Sequence, residues 1–142
     1  MRTILFSMLI AVAATGCAKQ DTDKSAATEA AAKVPTVTVD ELDQLLAKNA
    51  AQPVDANGAG TRSKMGVIPG AVLLTDSESF QPSELPADKS KALVFYCGNT
   101  SCSASHCAAG KAIIAGYTNV KILPEGIAGW VKAGKKTASV GS

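Results

Sequence analysis

Ala92-Leu93-Val94-Phe95-Tyr96-Cys97-Gly98-Asn99-Thr100-Ser101-Cys102-Ser103 is the stretch that decides how this chain is read. Its apolar run is long enough for a buried strand and too short for a helix. The small residues from Gly98 onward form a loop, and Ser103 to Tyr117 follows with a helical pattern. A thiol at a strand end, facing a helix N-terminus, sits where its anion is favoured, because the first amides of a helix have no partners within it. An ordinary thiol with a pKa near 8.5 is only about 3% ionised at pH 7, whereas a pKa of about 6.5 makes it roughly 75% thiolate. Cys97 is therefore the candidate nucleophile. Small residues let the backbone close around a sulfur, and the hydroxyls of Thr100, Ser101 and Ser103 add neutral donors. Gly98 to Ser103 contains no basic residue.

Outward from the loop, apolar runs alternate with helical patterns. Thr38-Val39-Asp40-Glu41 has the form of a capping box, a hydroxyl with a carboxylate three residues on, ahead of Leu42, Leu45 and Leu46. That helix is expected to reach Asn49. Pro53 to Ala56 predicts a brief strand ending in a Gly-rich loop, Asn57 to Gly60. Ile68-Pro69-Gly70 is a turn into a second strand, Ala71 to Leu74. A polar connection leads to Lys91. After the Ser103–Tyr117 helix come a strand, Asn119 to Leu123, and a last helix, Gly126 to Ala133, carrying Trp130. The alternation predicts an α/β fold with a mostly parallel sheet, whose sites lie beyond the carboxyl ends of the strands, where Cys97 falls.

The 142 residues, with 46% hydrophobic residues and a net charge of +2, bound one globular domain with appendages. No basic cluster with interleaved aromatics is present, so no nucleic-acid partner is expected. Residues 1–16 read as an export signal, with Arg2 ahead of an apolar run from Ile4 to Ala14. That run is about half the ~20 residues a spanning helix needs. Ala14-Thr15-Gly16-Cys17 resembles a bacterial lipobox, which implies acylation of Cys17 and a membrane partner reached through that lipid. The alternative is cleavage by a general signal peptidase that leaves Cys17 free. Ala18, rather than Asp, follows Cys17, so outer-membrane attachment facing the periplasm is expected. Residues 17–33 have no large apolar residue before Val34 and predict a flexible tether, with an alanine-rich helix from Ala26 to Lys33 as the competing reading. The folded domain is placed at 34–138.

Several separated stretches together resemble the single-domain rhodanese-like sulfurtransferases. They are Val54-Asp55 after the opening helix, Gly66-Val67-Ile68-Pro69-Gly70-Ala71, and Val94-Phe95-Tyr96-Cys97. Ala115-Gly116-Tyr117-Thr118-Asn119-Val120 and Glu125-Gly126-Ile127-Ala128-Gly129-Trp130 follow in the same order. The resemblance implies a three-layer α/β domain around a central parallel five-stranded sheet. It also implies a catalytic cysteine at Cys97, a substrate-binding loop of Gly98, Asn99, Thr100, Ser101, Cys102 and Ser103, and no cofactor. In the family's reaction a thiolate takes the outer sulfur of a small sulfane donor, and a thiol acceptor removes it from the resulting persulfide. This chain departs from the pattern at Val67, Asn57 and Glu125, and in its uncharged loop.

Cys102 has three readings: a thiol that resolves Cys97, a metal ligand, or a filler of the loop. Thiol–disulfide chemistry through Cys97 and Cys102 is accordingly the alternative function, and a non-catalytic rhodanese-like binding module is a third. Cys107 shares a stripe with Gly110, Ile114 and Tyr117 and reads as core. His106 and Cys107 diverge by about 100° on a helix, so Cys97, Cys102, His106 and Cys107 do not make a recognised zinc spacing. No metal is expected. Asp55 and Arg62 are candidates for bracing the loop. Without a loop-ending Arg to grip phosphoryl oxygens, phosphatase chemistry is disfavoured.

Overall fold

The structure, a computed structural model, describes residues 25–27 and 29–140. The export signal, the lipidation candidate Cys17 and the first part of the tether lie outside the described residues. Thr38 caps helix α1 (Val39–Ala47): its hydroxyl accepts the Glu41 N–H while the Glu41 carboxylate accepts the Thr38 N–H, completing the capping box read from the sequence. Strand β1 (Gln52–Asp55), helix α2 (Ala59–Met65) and strand β2 (Val72–Leu73) follow. After a 3₁₀ turn at Pro82–Glu84 come β3 (Leu93–Tyr96), α3 (Ala104–Ile114), β4 (Val120–Leu123) and α4 (Gly126–Lys132).

The strands form one parallel sheet in the order β2-β1-β3-β4. Its two faces carry separate cores, as the period-two alternation of strand side chains requires. Leu93 and Phe95 face one way, packed with Ala108, Ala109 and Ala112 of α3. Val94 and Tyr96 face the other, packed with Leu42 of α1 and Ile127 and Trp130 of α4. All four β3 residues are buried, which explains why this strand reads as an unbroken apolar run. The result is the expected three layers.

The expected fifth strand is reduced to a bridge: the sheet has four strands. Thr36 pairs in parallel with Ile122, through Val37 N–H to the Ile122 carbonyl and Ile122 N–H to the Pro35 carbonyl. Pro35 has no N–H to extend a ladder, and the chain turns into the capped helix at Thr38. Three other expectations are corrected. Residues 25–27 and 29–31 are helical instead of a flexible tether, with Ala31 buried. Gly110 of α3 makes this possible, because a side chain there would collide with the Ala27 carbonyl. Ala59 and Gly60 open α2 rather than ending a loop; no α2 residue is buried, so no apolar periodicity announces it. In α3 the buried residues are Ser105, Ala108, Ala109, Gly110 and Ala112, whereas Ile114 is exposed and Cys107 is half-buried. An alanine-rich helix offers too little hydrophobic contrast to show which side faces the sheet.

The topology places the site. From β1 the chain moves outward to β2, then crosses back to β3 on the other side of β1. The loops after β1 and β3 therefore diverge at the carboxyl ends of adjacent strands, leaving a crevice at this switch point. Asp55 and Tyr96 are register partners at its base. No helix among the described residues is long and apolar enough to cross a membrane.

Candidate active site at the end of β3

Cys97 leaves β3 into this crevice and is 2% exposed, within the α3-side core. Its thiol donates to the Cys102 carbonyl at 3.2 Å, and its Sγ lies 3.4 Å from the Ser105 Oγ. The loop holds its own shape. Asn99 accepts the Ser101 N–H on its side-chain oxygen and the Cys102 N–H on its carbonyl. The first turn of α4 fastens the other side: Ile127 and Ala128 give their N–H groups to the carbonyls of Cys97 and Gly98. These are unpartnered first-turn amides of α4, so loop and helix end satisfy each other.

The N-terminus of α3 serves both sulfurs. Burial raises the Cys97 thiol above its ordinary range, and the hydrogen bond it shares with Cys102 adds to this; the hydroxyl and N–H of Ser105 oppose the rise without cancelling it. Burial pushes Cys102 up as well, but donation from the Cys97 thiol and from the amides of Gly98 and Ala104 outweighs it and lowers that thiol. Loss of a proton is therefore easier at Cys102 than at Cys97. The expectation that loop amides ionise Cys97 is corrected here: the Gly98 and Ala104 amides serve Cys102, which lies half-buried at the surface of the fold.

Of the loop residues named from the sequence, Gly98 and Cys102 adjoin the reactive sulfur, and Asn99 and Ser101 shape the turn. Ser103 gives its carbonyl to the Cys107 N–H, starting α3. Thr100 is exposed. Ser105, which the sequence reading passed over, is 1% exposed and touches Cys97. Its signal is positional: a hydroxyl in the first helical turn after a strand-end cysteine. His106 and Cys107 are half-buried on α3, and among the described residues no cluster of His, Cys, Asp or Glu is arranged to hold a metal.

A second crevice wall comes from β1. Asp55, fully buried, accepts the Asn57 N–H at 2.7 Å and pairs with Arg62 at 3.2 Å. The Arg62 guanidinium also donates to the carbonyls of Asp55 and Leu74, tying the ends of β1 and β2 together. The Tyr96 hydroxyl accepts the Ile68 N–H, and burial followed by the charge of Asp55 pushes this phenol far up. Asn57, 8% exposed, stands beside Gly98 with its side-chain N–H₂ unpartnered. A surface cavity of about 730 Å³ between Arg62, Lys64, Leu73 and Thr137 contains none of residues 97–103.

These thiols differ enough to be separated by pH. Cys102 is expected to alkylate with an apparent midpoint below the ordinary thiol value of about 8.5, and Cys97 with one above it. For both, the rate rises with pH, because only the thiolate attacks. Peptide-resolved labelling with iodoacetamide from pH 5 to 10 checks the order; Cys97 titrating first would contradict the structure.

A three-layer α/β domain with a cysteine loop at its switch point defines the class, and comparison with known proteins supplies the family. The model of the Rhodanese-like domain matches residues 38–133, so the chain belongs to the rhodanese-like domain family. No curated protein sequence matches it significantly. Among solved structures it is similar to RPA3614 from Rhodopseudomonas palustris, described as a protein of unknown function and possible tyrosine phosphatase. That likeness has 23% identity and a TM-score of 0.63, over 93% of this chain and 100% of the other. It is similar to the human single-domain sulfurtransferase TSTD1, at 24% identity and TM-score 0.56, over 70% of this chain and 96% of that one. It also resembles the 3-mercaptopyruvate sulfurtransferase SseA from Escherichia coli, at 24% identity and TM-score 0.59, over 78% of this chain and 53% of that one. At these identities the likenesses show the fold alone.

Proposed function

We propose that this domain transfers sulfane sulfur through a persulfide on Cys97, taking it from a small donor and yielding it to a thiol acceptor. One observation carries the reading: two free thiols lie between the carboxyl end of β3 and the N-terminus of the helix that follows it, with amides supporting an anionic sulfur. Such amides stabilise a persulfide anion as well as a thiolate, without a Lys or Arg. The likeness to two sulfurtransferases supports the same direction. The likeness to a possible tyrosine phosphatase does not redirect it, because residues 97–103 hold no guanidinium for a phosphoryl group.

Incubation with thiosulfate or glutathione persulfide, followed by mass spectrometry, tests the reading. The wild-type chain is expected to gain one sulfur that comes to rest on Cys97, and Cys97→Ser is expected to turn over cyanide or an acceptor thiol more slowly. Undiminished turnover in Cys97→Ser would remove Cys97 from the reaction. The adjacency of Cys97 and Cys102 also favours a second reading, reversible disulfide formation between them. Loss of two hydrogens on mild oxidation, abolished in Cys102→Ala, is its signature. For location, the lipobox-like Ala14–Cys17 supports a lipid anchor on the outer membrane, facing the periplasm. Palmitate labelling lost in Cys17→Ser is the expected result, and detergent-free solubility of the mature wild type would count against it.

A further inference from the structure

We propose that Cys102 is the thiol that meets the sulfane donor, and that Cys97 receives the sulfur from Cys102 inside the fold. This rests on the sulfur-transfer reading and assigns the order of its two thiols. Three observations carry it. Cys97 is 2% exposed and its Sγ is engaged with the Cys102 carbonyl and Ser105 hydroxyl, so a donor approaching from solvent meets Cys102 before Cys97. The loop is held shut on its far side by the Ile127 and Ala128 amides. Cys102, five residues on, is half-buried and packs against the same core, its carbonyl accepts the Cys97 thiol, and the Gly98 and Ala104 amides favour its thiolate.

The chemistry balances in two displacements. With thiosulfate, the Cys102 thiolate attacks the outer sulfur; a bond forms between that sulfur and Cys102 Sγ, and the sulfur–sulfur bond of the donor breaks. Its electron pair leaves with sulfite, and Cys102 becomes a perthiolate. In the second step the Cys97 proton passes to the outer sulfur, which becomes neutral and electrophilic, and Cys97 Sγ attacks it. The bond to Cys102 breaks, and Cys102 departs as the thiolate. Its leaving is assisted by the amides of Gly98 and Ala104 that favoured its attack. Charge and sulfur count are unchanged across this step, and no external oxidant or reductant enters. An exposed acceptor thiol then draws sulfur back through Cys102 by the reverse route. The higher proton affinity of Cys97 suits a receiver that must not react with solvent-borne oxidants.

The test uses the full chain carrying Cys107→Ser, which removes the third described thiol. Rapid quenching with an alkylating agent, after thiosulfate or glutathione persulfide, is followed by peptide-mapped mass spectrometry. Sulfur is expected on Cys102 first and on Cys97 later. Cys97→Ser should strand it on Cys102, and Cys102→Ser should slow loading of Cys97 at least tenfold. Thermal melts of each variant, with Cys97→Ala and Cys102→Ala as alternatives, identify any that fail to fold. Loading of Cys97 in Cys102→Ser at the wild-type rate overturns the relay while leaving sulfur transfer standing. A wild-type chain that takes no sulfur from either donor overturns sulfur transfer itself, and the relay with it.

Discussion

Replacing Arg62 by Met is expected to remove about 3–5 kcal/mol of folding stability, the range for breaking a buried ion pair on one side. Asp55 is fully buried, and Arg62 is 13% exposed. Without the guanidinium, the carboxylate loses its charged partner and keeps the Asn57 N–H, and the Asp55 and Leu74 carbonyls lose a donor they share. Arg is suited to this because its planar fork reaches three acceptors at once, so Arg62→Lys is expected to recover only part of the loss. The double variant Asp55→Asn/Arg62→Met should be less destabilised than Arg62→Met alone, since it no longer strands a charge. Urea unfolding measures all three. A loss under about 1 kcal/mol in Arg62→Met would mean that water replaces the guanidinium without penalty. Because Asn57 is held by Asp55 beside Gly98, the same substitution is also expected to loosen the loop and speed alkylation of Cys97.

Gly126→Ala is expected to cost roughly 2–4 kcal/mol and to unseal Cys97. Gly126 has φ of +60°, a conformation that side chains rarely adopt. A methyl group there would collide with the Cys97 carbonyl oxygen and come within 2.8 Å of the Gly98 carbonyl carbon. Backbone cannot yield as a flexible side chain does. The shift would break the Ile127 and Ala128 hydrogen bonds to those carbonyls, at 2.9 and 3.0 Å. The two readouts are a lower urea midpoint and faster iodoacetamide labelling of Cys97, with Cys102 labelling little changed. Wild-type stability together with wild-type protection of Cys97 would show that the α4 end does not hold the loop.

Much of the fold was legible because its signals are local. The capping box of Thr38 and Glu41, the apolar run of β3 and the turn at Ile68-Pro69-Gly70 report on themselves. The strand-end position of Cys97 follows from the run before it. Other features carry no local signal. Helix α2 buries nothing, so its residues show no periodicity, yet Arg62 on it anchors Asp55 seven residues earlier. The alanines of α3 conceal which face meets the sheet. The fifth strand failed at a single proline, where family pattern outran the hydrogen-bonding capacity of the residue.

By itself the chain determined a parallel α/β sheet and a thiol at its carboxyl edge, since both follow from the order of apolar and small residues along the backbone. Which sulfur gives up its proton more readily was decided only in three dimensions. Cys97 and Cys102 are both cysteines beside the same helix end, and nothing in their spacing ranks them. The ranking comes from burial, which penalises the anion at Cys97, and from the aim of the Gly98 and Ala104 amides, which reward it at Cys102. Desolvation and hydrogen-bond direction depend on neighbours brought from α3, α4 and β1, and these come together only when the chain folds.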